Sequence, residues 1–598
     1  MKFIFMARDV RGFAVKLYSD AWNWDIVENN MPIFFIQNAM KFPDVIHALK
    51  PETNNQIPRA ASARATFWDF VSLMPEYTHR LSWIMSDRAI PRSMRMMQGF
   101  GVHTFRLVNE AGAPMFCKFD WNSVAGTHSM TWDEAVKINE ADADSHRRDL
   151  WDAIESGAFP QWELGIQVFT EQQAEKFSFD ALDATKLEAE ELVPVKAIGR
   201  MVLNRNPDNF FAETEQIAFG TANVIPGIDF SHDPLQQSCR HSYLDLQLSR
   251  ISGPNFNELP INASLSEVHN NPRDGIHCQS IPQGRVAYEP TSLGGNFTFQ
   301  AGIRGFLRLP APVFEDKVRG KPEKFADYFS LARLFWNSQT PIEKKHIIAG
   351  FRFELTKVQV PTIRERTVLM LANVTQGVAD GPGFAVPKPQ PRALDKPAKP
   401  RVIASPARSL FARLRDGRVK TRQVALLVCD GVDGASLQEV HSALIAEGAM
   451  PKFLGASLGT VAPQGGTPIR VDVTFEATAS VLWDAVVLPA GSDAQTTLQA
   501  DQRVLEFVKE QYRHCKLIMA LGEVDTLVAA VAMRATLEDL KSDPGIIMVR
   551  DSVLATNPKD AQAAKLATKS SAAENNGMLT VDLIKALGEH RYFERELT

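Results

Sequence analysis

Short apolar runs that alternate with polar residues mark the first part of the chain, and their period of two predicts β-strands. The runs are FAVKLY at 13–18, MPIFFIQ at 31–37, HTFRLV at 103–108, MFCKF at 115–119 and WELGIQVF at 162–169. A long irregular stretch, 220–325, is rich in Asn, Pro, Gly and Arg, and helical patterns such as EKFADYFSLARLFWN follow it. This order predicts a mixed domain with a long ordered loop, of the kind that wraps around a partner in oligomers with exchanged arms.

The last part of the chain has a different sequence pattern, in which continuous apolar runs alternate with helical patterns. QVALLVCD, SLQEVHSALIAEGA, DAVVLPAG, DQRVLEFVKEQYRH and KLIMALGE succeed one another with short Gly and Asp turns. Such alternation predicts a doubly wound parallel sheet. A proline-rich stretch without an apolar face precedes it. We therefore divide the chain into a core at 1–377, a linker at 378–417 and a C-terminal domain at 418–598.

Composition narrows the classes of partner. The 598 residues are 45% hydrophobic, enough for the cores of two or three domains. The formal net charge of −5 and the absence of a basic stretch favour neither nucleic acid nor an anionic membrane. No apolar run reaches the roughly 20 residues of a membrane span. Five scattered cysteines without a CxxC motif indicate a reduced, cytoplasmic protein.

Two turns in the C-terminal domain invite a chemical interpretation. CDGVDGAS at 429–436 could hold an anion at a helix N-terminus, but it lacks the G-x-G-x-x-G spacing, and an ordinary turn between strand and helix is the more frequent case. The turn after KLIMALGE resembles in pattern the nucleophile elbow of the DJ-1/PfpI, class I glutamine amidotransferase-like family, with Gly522 where the nucleophilic Cys would stand. We expect an inert packing module, with Cys429 as a structural thiol inside a strand.

The first part contains more specific segments. FFIQNAMKF places an apolar wall beside two amides, and Tyr243 and Arg250 lie two turns apart on one face of an expected helix. By spacing alone, such a Tyr and Arg pair is more often surface packing than a site. The segments RDVRGFAVK, NNMPIFFIQ, SDRAIPRS, GFGVHTFRLVN, LNRNPDNFFAE and RDGIH are long and rich in unusual residues.

Taken in this order, these segments resemble the haem catalases, and the added C-terminal domain resembles that of the large-subunit clade. The resemblance implies an α+β fold: a catalase-type antiparallel β-barrel with a wrapping loop and a helical region, followed by an α/β doubly wound, flavodoxin-like domain. It also implies a haem cofactor, hydrogen peroxide as substrate, dismutation to water and dioxygen, and self-association as a homotetramer.

The resemblance also implies how the haem is bound. Tyr243 matches the proximal ligand, whose phenolate donates electron density to the iron. Arg250 matches the residue that pairs with a haem propionate, and Phe34 and Phe42 match aromatic walls of the distal side. The family Arg that lowers the pKa of the proximal Tyr is Cys239 here, and we expect the neighbouring Arg240 to substitute in part because it is three residues from Tyr243.

On the distal side, the resemblance makes Asn29 the donor of a hydrogen bond to peroxide. The family Gly before this Asn is Glu28 here, so we expect a side chain that crowds or charges the pocket. The essential general acid and base of the family is a His in a motif like R-V-V-H-A-R-G, which precedes RDVRGFAVK and has no match in this sequence. His47 and His103 match other family positions, and we expect both to be packing or hydrogen-bonding residues.

Two departures lead to competing hypotheses. The sequence enters the expected barrel partway, at Arg8, so we expect a barrel that is N-terminally incomplete and lacks an arm with two haem-binding arginines. Gly220 stands where some large catalases carry a side chain linked to the proximal Tyr. The first hypothesis is a haem-dependent catalase that detoxifies hydrogen peroxide. The second is a catalytically impaired, shortened catalase-like protein that serves as a haem-binding or structural remnant.

Overall fold

The structure is a computed structural model that describes a large part of the chain. The described residues are 6–51, 53, 65–265, 278, 281, 293, 309–310, 323–375, 377, 402–411, 417–465, 467–522, 528, 543–549 and 582–596. Much of the expected long loop at 220–325 lies outside them, and so does most of the expected linker at 378–417. The described start of the loop is not irregular throughout, because residues 234–251 form a helix.

Eight strands among the described residues of the first part form one antiparallel sheet. They are β1 (Gly12–Tyr18), β2 (Asn23–Asn29), β3 (Gly99–Phe100), β4 (Phe105–Val108), β5 (Pro114–Ser123), β6 (Gln161–Phe169), β7 (Lys196–Val202) and β8 (Ile228–Phe230). The path β1-β2-β3-β5-β4-β8 runs through hydrogen-bonded neighbours, and the other edge of β5 pairs with β6, which pairs with β7. In the register of β1 and β2, Gly12 pairs with Asn29, so Asn29 ends its strand beside the sheet margin.

The expected strand at 31–37 is wrong. Ile33 and Ile36 are fully buried, but the chain is irregular there, and the Phe34 N–H donates to the Ala184 carbonyl at 2.7 Å. An apolar run that is buried on several sides can form a loop when its backbone groups find partners elsewhere.

Ten helices lie among the described residues of the first part. They are α1 (Phe42–Leu49), α2 (Ala65–Leu73), α3 (Thr78–Met85), α4 (Trp132–Ala141), α5 (Ser145–Glu155), α6 (Glu171–Glu175), α7 (Pro234–Ile251), α8 (Ser330–Ser338), α9 (Pro341–Thr356) and α10 (Pro361–Ala372). Helix α3 is buried along its whole length, because α8 and α9 pack against it. The rings of Trp83 and Phe335 lie 4.5 Å apart there. Thr340 and Glu343 form a capping box that fixes the start of α9.

The C-terminal part contains the expected parallel sheet. Its strands are β9 (Gln423–Leu427), β10 (Met450–Gly455), β13 (Val473–Thr474), β14 (Ala485–Leu488), β15 (Leu517–Leu521) and β16 (Ile546–Val549), in the order β13-β10-β9-β14-β15-β16. A separate antiparallel pair is formed by β11 (Gly459–Val461) and β12 (Ile469–Val471). The helices are α11 (Gly434–Ala446), α12 (Ser492–Ala500) and α13 (Gln502–Arg513), and residues 582–589 are helical.

Alternate side chains of β9 enter two different cores of this sheet. Val424 and Leu426 pack with Leu437 and Leu444 of α11, whereas Ala425 and Leu427 pack in the core that holds α12 and α13. Helices therefore cover both faces, which explains why these strands are continuously apolar.

A buried charge cluster joins the two parts of the chain. Glu134 on α4 accepts from the Lys516 Nζ at 2.8 Å and from the Arg591 guanidinium at 3.0 Å, and all three side chains are almost completely buried. Beside them, Arg92 donates to Asp484 at 3.0 Å. Burial alone would raise the pKa of Glu134, but Arg591 and Lys516 outweigh it and hold the pKa at about 2. We call Glu134, Lys516 and Arg591 the interface triad.

The described piece of the expected linker is packed rather than free. Glu343 of α9 accepts from the Ser409 hydroxyl and from the Leu410 N–H, each at 2.7 Å, and the Ser338 hydroxyl accepts from the Ser405 N–H at 2.8 Å. The carboxylate that caps α9 therefore also anchors residues 402–411 to the helical region.

Candidate functional site

Tyr243 lies in the middle of α7, whose start is fixed by a polar cap. The Asp233 carboxylate accepts from the Leu235 and Gln236 N–H groups, and Pro234 takes the first helical position. The Tyr243 ring lies at the margin of the main core, as do the rings of Phe34 and Phe42. No hydrogen bond to the Tyr243 hydroxyl is found among the described residues.

Burial and the neighbouring Cys239 both act on the Tyr243 hydroxyl. Burial disfavours the phenolate, and the effect of the thiol adds to it, so the pKa of Tyr243 rises to about 12. A bound cation at the oxygen would have to lower this pKa to hold a phenolate at neutral pH.

The prediction that Arg240 partly replaces the family Arg beside Tyr243 is wrong, because its guanidinium is directed to other residues. The Arg240 guanidinium lies 4.5 Å from the centroid of the Phe230 ring and donates to Gln237, one turn earlier on α7. A spacing of three residues brings two Cα atoms onto neighbouring positions, but the long Arg side chain can turn to either side of the helix. The raised pKa of Tyr243 agrees with this orientation, because a facing guanidinium would lower it.

Asn29 ends β2 with its amide oxygen occupied. The Oδ1 atom accepts from the Met31 N–H at 3.0 Å and from the Arg80 Nη1 at 3.3 Å. No partner of the Nδ2 group is found in the part of the chain that the structure describes. Two donors therefore fix the amide, and its own N–H groups remain as donors to a ligand.

Arg80 is a residue of the site that the sequence does not reveal. Its guanidinium is fully buried on α3, lies 4.4 Å from the centroid of the Phe35 ring, and donates to the Ile33 carbonyl and to Asn29. Its Nε and Nη2 atoms have no partner among the described residues, and burial lowers its pKa to about 10. Since Arg80 stands in an ordinary helical segment, THRLSWIM, no motif or spacing could have identified it.

Glu28 lies beside two glycines, Gly99 and Gly101. A Cβ at Gly99 would lie 2.5 Å from its carboxyl, so only a glycine leaves room for this side chain. Because successive side chains of a strand point to opposite faces, the carboxyl projects from the face opposite to that of Asn29. Burial and the nearby Asp120 raise the pKa of Glu28 well above its ordinary value. The expected crowding therefore affects the sheet on the side away from the Asn29 amide.

Replacing Glu28 with Gln is expected to raise the urea midpoint of unfolding at pH 7 and to leave it nearly unchanged at pH 4. The raised pKa of this carboxyl means that its stabilising contribution is present below about pH 4.5 and is lost as the pH rises through the folded-state value. The matched control is Glu163→Gln on β6, where the carboxylate is 42% exposed in an ion pair with Arg200. An equal gain at both pH values would contradict the buried neutral acid.

The aromatic residues of FFIQNAMKF form a stacked wall. The rings of Phe34 and Phe42 lie 6.3 Å apart at an interplanar angle of 14°, and the Phe34 ring lies 6.4 Å from the His103 ring. The imidazole of His103 is also tied to α7, since its Nδ1 lies 2.7 Å from the Asp233 Oδ2. The wall that begins at Phe42 is thus continuous with the helix that carries Tyr243.

Arg250 lies at the end of α7 with most of its donors engaged. It donates to the carbonyl oxygens of Glu215 and Ile217 and to the Gln247 side chain. Its exposed guanidinium is therefore oriented by the backbone after β7. The role of Arg250 toward a carboxylate stays a prediction.

The remaining candidates of the first part have structural partners. His103 is buried between Asp233 and Cys239, and His47 is exposed in the last turn of α1. The Gly220 N–H donates to Asp25 at 2.8 Å, and a Cβ at Gly220 would lie 3.2 Å from the Asn223 amide nitrogen.

The two C-terminal candidates differ from each other. Gly522 directly follows β15 and has a φ of 75°, a conformation that favours glycine. Cys429 follows β9 and is half-buried, so its expected place inside a strand is wrong. Burial and Asp430 raise the pKa of the Cys429 thiol to about 11.

Among the described residues no cluster of His, Cys, Asp or Glu has the arrangement of a metal site, and no described helix is long and apolar enough to cross a membrane.

Comparison with known proteins identifies three matching family models. The catalase model matches residues 5–295, the catalase-related immune-responsive model matches 322–381, and the model of the C-terminal domain found in long catalases matches 420–596. These matches lie on the antiparallel sheet with α7, on the helices α8 to α10, and on the parallel sheet.

Several characterised proteins are similar over most of the chain. Catalase HPII of Pseudomonas aeruginosa is 48% identical over 547 residues, which are 90% of this chain and 76% of the relative. Catalase HPII of Mycobacterium avium is 45% identical over 98% of this chain and 81% of the relative, and catalase-2 of Bacillus subtilis is 46% identical over 91% and 78%. These similarities support turnover of hydrogen peroxide and do not favour the impaired remnant. The chain belongs to the catalase family, carries the C-terminal domain of long catalases, and dismutates hydrogen peroxide to water and dioxygen.

Proposed function

We propose that this catalase uses a haem whose iron is bound by the phenolate of Tyr243. The observation that carries the proposal is the Tyr243 hydroxyl, for which no hydrogen-bond partner is found among the described residues, on a ring that packs against the same core as Phe34 and Phe42. A phenol oxygen can bind the iron, an apolar wall can pack against a flat apolar macrocycle, and an unengaged amide can donate to a peroxide. The residues that are present therefore fit a haem.

When bound, the haem iron supplies the two-electron redox chemistry that peroxide dismutation needs. Tyr243 would hold the iron through its phenol oxygen. In this chain Cys239 contributes no positive charge beside the phenol, so the metal itself has to stabilise the phenolate. We therefore expect the phenolate form of Tyr243 to be less stabilised in this chain than it would be with an Arg at position 239.

Asn29 binds the substrate in this proposal. Its Oδ1 is held by the Met31 N–H and by Arg80, which leaves its Nδ2 group to donate to a peroxide oxygen. Arg80 adds a buried positive charge that favours electron-rich oxygen near the amide. Phe34 and Phe42 exclude water from the same region, which strengthens both interactions.

Two further assignments complete the proposed binding site. Arg250 has one N–H remaining on Nη1 beside its backbone contacts, and we assign it to a propionate carboxylate. A proton must also move from one peroxide oxygen to the other, and the family assigns this step to a His in an R-V-V-H-A-R-G motif. Neither His47 nor His103 is assigned this role here, because His103 is engaged by Asp233 and His47 is exposed.

Replacing Asn29 with Ala is expected to lower kcat for hydrogen peroxide on the order of 10²-fold, because a preorganised donor to the reacting oxygen is lost. Haem content, read from the Soret absorption, is expected to stay unchanged. Oxygen release measured with an electrode gives kcat, and Asn38→Ala is the matched control, since Asn38 makes the same contact to the backbone two residues later. Undiminished kcat in Asn29→Ala would remove Asn29 from the site.

The architecture proposed with this function has three parts. Residues 1–377 form a catalase core with a β-barrel, 378–417 a linker, and 418–598 a flavodoxin-like domain, which the helices on both faces of the parallel sheet support. We also propose a homotetramer in the cytoplasm. Exposed leucines on α7, Leu244, Leu246 and Leu248, support self-association, and five free cysteines support a reducing compartment. Light scattering of the purified chain tests the tetramer.

A further inference from the structure

A cavity of about 300 Å³, which we call the junction cavity, lies where the first part of the chain meets the C-terminal part. Its lining comes from α4, α9 and the segments around Arg8 and Asp87 on one side, and from the end of α13 and Glu596 on the other. Ala349 and Phe353 of the lining are also exposed on the surface, so the cavity is open to solvent. Its volume is in the range of ligand pockets and about twice that of a cavity that accepts one benzene ring.

Arg8 is held rigidly in the lining of this cavity. Its Nη1 group donates to the Met85 carbonyl at 3.0 Å and to the Ser86 carbonyl at 2.9 Å. The guanidinium carbon lies 5.4 Å from the centroid of the Trp132 ring, and a Cβ at Gly350 would lie 3.6 Å from the same carbon. The Nε and Nη2 groups make no hydrogen bond with the described residues. These two groups form the edge of a guanidinium that binds a carboxylate through two parallel hydrogen bonds.

The charge of this guanidinium persists at neutral pH. Burial lowers the pKa of Arg8, and the nearby carboxylates of Asp87 and Glu354 limit this effect. An Arg side chain starts from a pKa far above neutrality and therefore stays protonated. The unengaged edge is thus a fixed positive group that faces a negatively charged ligand.

The carboxylates of the described lining are already bound to basic partners. His346 joins two of them, since its Nδ1 lies 2.6 Å from the Asp87 Oδ2 and its Nε2 lies 2.7 Å from the Glu596 Oε2. Burial alone would lower the pKa of His346, but Asp87 and Glu596 outweigh it and raise the pKa to about 10, so the imidazole is charged at neutral pH. The third carboxylate, Asp133, has its Oδ2 2.9 Å from the His514 Nε2. These pairings disfavour an organic cation as the ligand.

An aromatic wall lies next to the Arg8 guanidinium. The rings of Trp132 on α4 and Phe353 on α9 pack edge to face, with their centroids 5.0 Å apart at an angle of 61°. Ala349, one turn before Phe353 on α9, lines the same cavity with a side chain too short to fill it. A flat ring system can pack against this wall while an attached carboxylate reaches the guanidinium.

We propose that the junction cavity binds an aromatic monocarboxylate of about two fused rings, with its carboxylate on the Nε and Nη2 groups of Arg8 and its rings against Trp132 and Phe353. The guanidinium is already oriented by the Met85 and Ser86 carbonyls, so little conformational freedom is lost when the ligand binds. The site is independent of the proposed haem and peroxide site, because none of the described residues that line it has a role there.

Isothermal titration calorimetry of the full-length holoenzyme with 2-naphthoate tests the proposal. One site for each chain with a Kd on the order of 10⁻⁴ M is expected. The neutral isostere 2-naphthamide has the same rings without the charge, and it is expected to bind about tenfold more weakly. The Soret absorption is expected to stay unchanged. Absence of binding up to about 1 mM 2-naphthoate, or equal affinities for the two probes, would overturn the proposal.

An Arg8→Gln variant tests the contact to the carboxylate. The difference between the two probes is expected to fall from about tenfold to about twofold or less, because the variant removes the group that distinguishes them. Arg147→Gln is the matched control: the Arg147 guanidinium also lies near an aromatic ring, 5.9 Å from the centroid of Phe210, but it does not line the cavity. A tenfold preference for 2-naphthoate that persists in Arg8→Gln would refute the role of Arg8.

An Ala349→Leu variant keeps the test decisive if Arg8→Gln does not fold. Ala349 is exposed on α9 and leucine is a good helix former, so the variant is expected to fold. The longer side chain occupies part of the cavity, and both probes are expected to bind about tenfold or more weakly. Undiminished binding of 2-naphthoate to this variant would locate the probe outside the junction cavity and overturn the proposal.

Discussion

Replacing Tyr243 with Phe is expected to abolish the tyrosinate-bound haem spectrum and to reduce oxygen release to that of free haem. The variant keeps the ring that packs at the margin of the core with Phe34 and Phe42 and loses only the oxygen, for which no partner is found among the described residues. Folding should therefore be preserved while the metal ligand is removed. Absorption spectra of the purified variant and oxygen release from peroxide measure both effects.

Tyr328→Phe is the matched control for this change. Tyr328 lies at the margin of the same core, with its ring packed against Phe329 and 6.0 Å from the Lys186 ammonium. The same oxygen is removed from the same kind of environment, and the spectrum and turnover of the wild type are expected. Wild-type spectrum and turnover in Tyr243→Phe would refute the assignment of the iron ligand.

Replacing Glu134 with Gln is expected to destabilise the protein by about 3–5 kcal/mol, the typical cost of breaking a buried ion pair. The amide leaves Lys516 and Arg591 buried without a compensating negative charge. Since α4 belongs to the first part of the chain and Lys516 to the second, the contact between the two parts is expected to weaken first. Urea unfolding followed by circular dichroism measures the change, and limited proteolysis reports release of the C-terminal part.

Glu140→Gln provides the control, because Glu140 is exposed on the same helix. Its effect should stay within about 0.5 kcal/mol, as for surface substitutions generally. If both variants unfold at the same urea concentration, the interface triad contributes no specific stability.

The Glu134 carboxylate also determines how the stability of the protein changes at acidic pH. Its pKa is about 2 in the folded protein and lies near 4.5 in an unfolded chain, so its contribution is complete above pH 4.5 and is lost as the pH falls through about 2. The wild type should therefore lose stability more steeply than Glu134→Gln over this interval. At the alkaline side, burial together with Arg591 and Arg92 lowers the pKa of Lys516 to about 8, so the triad becomes neutral overall above that pH.

Local patterns predicted much of the secondary structure because they depend on near neighbours. Alternation at 13–18 and 115–119 corresponds to β1 and β5, and continuously apolar runs after 418 correspond to parallel strands covered on both faces. The run at 31–37 failed because strand pairing requires a partner edge, and the backbone there bonds to a loop around Ala184 instead. An apolar run predicts that its side chains are buried, but it does not predict which segment its backbone groups bond to.

The sequence by itself determined the family, the positions of Tyr243, Asn29 and Arg250, and the presence of a thiol at position 239, since these follow from long motifs in a fixed order. Only the tertiary structure decided the directions of the side chains around them. It turned Arg240 toward Phe230, placed a buried Arg80 on the Asn29 amide, and joined His103 to Asp233. The physical reason is that these contacts link residues far apart in the chain, or depend on which way a long side chain turns, and neither is encoded by local spacing.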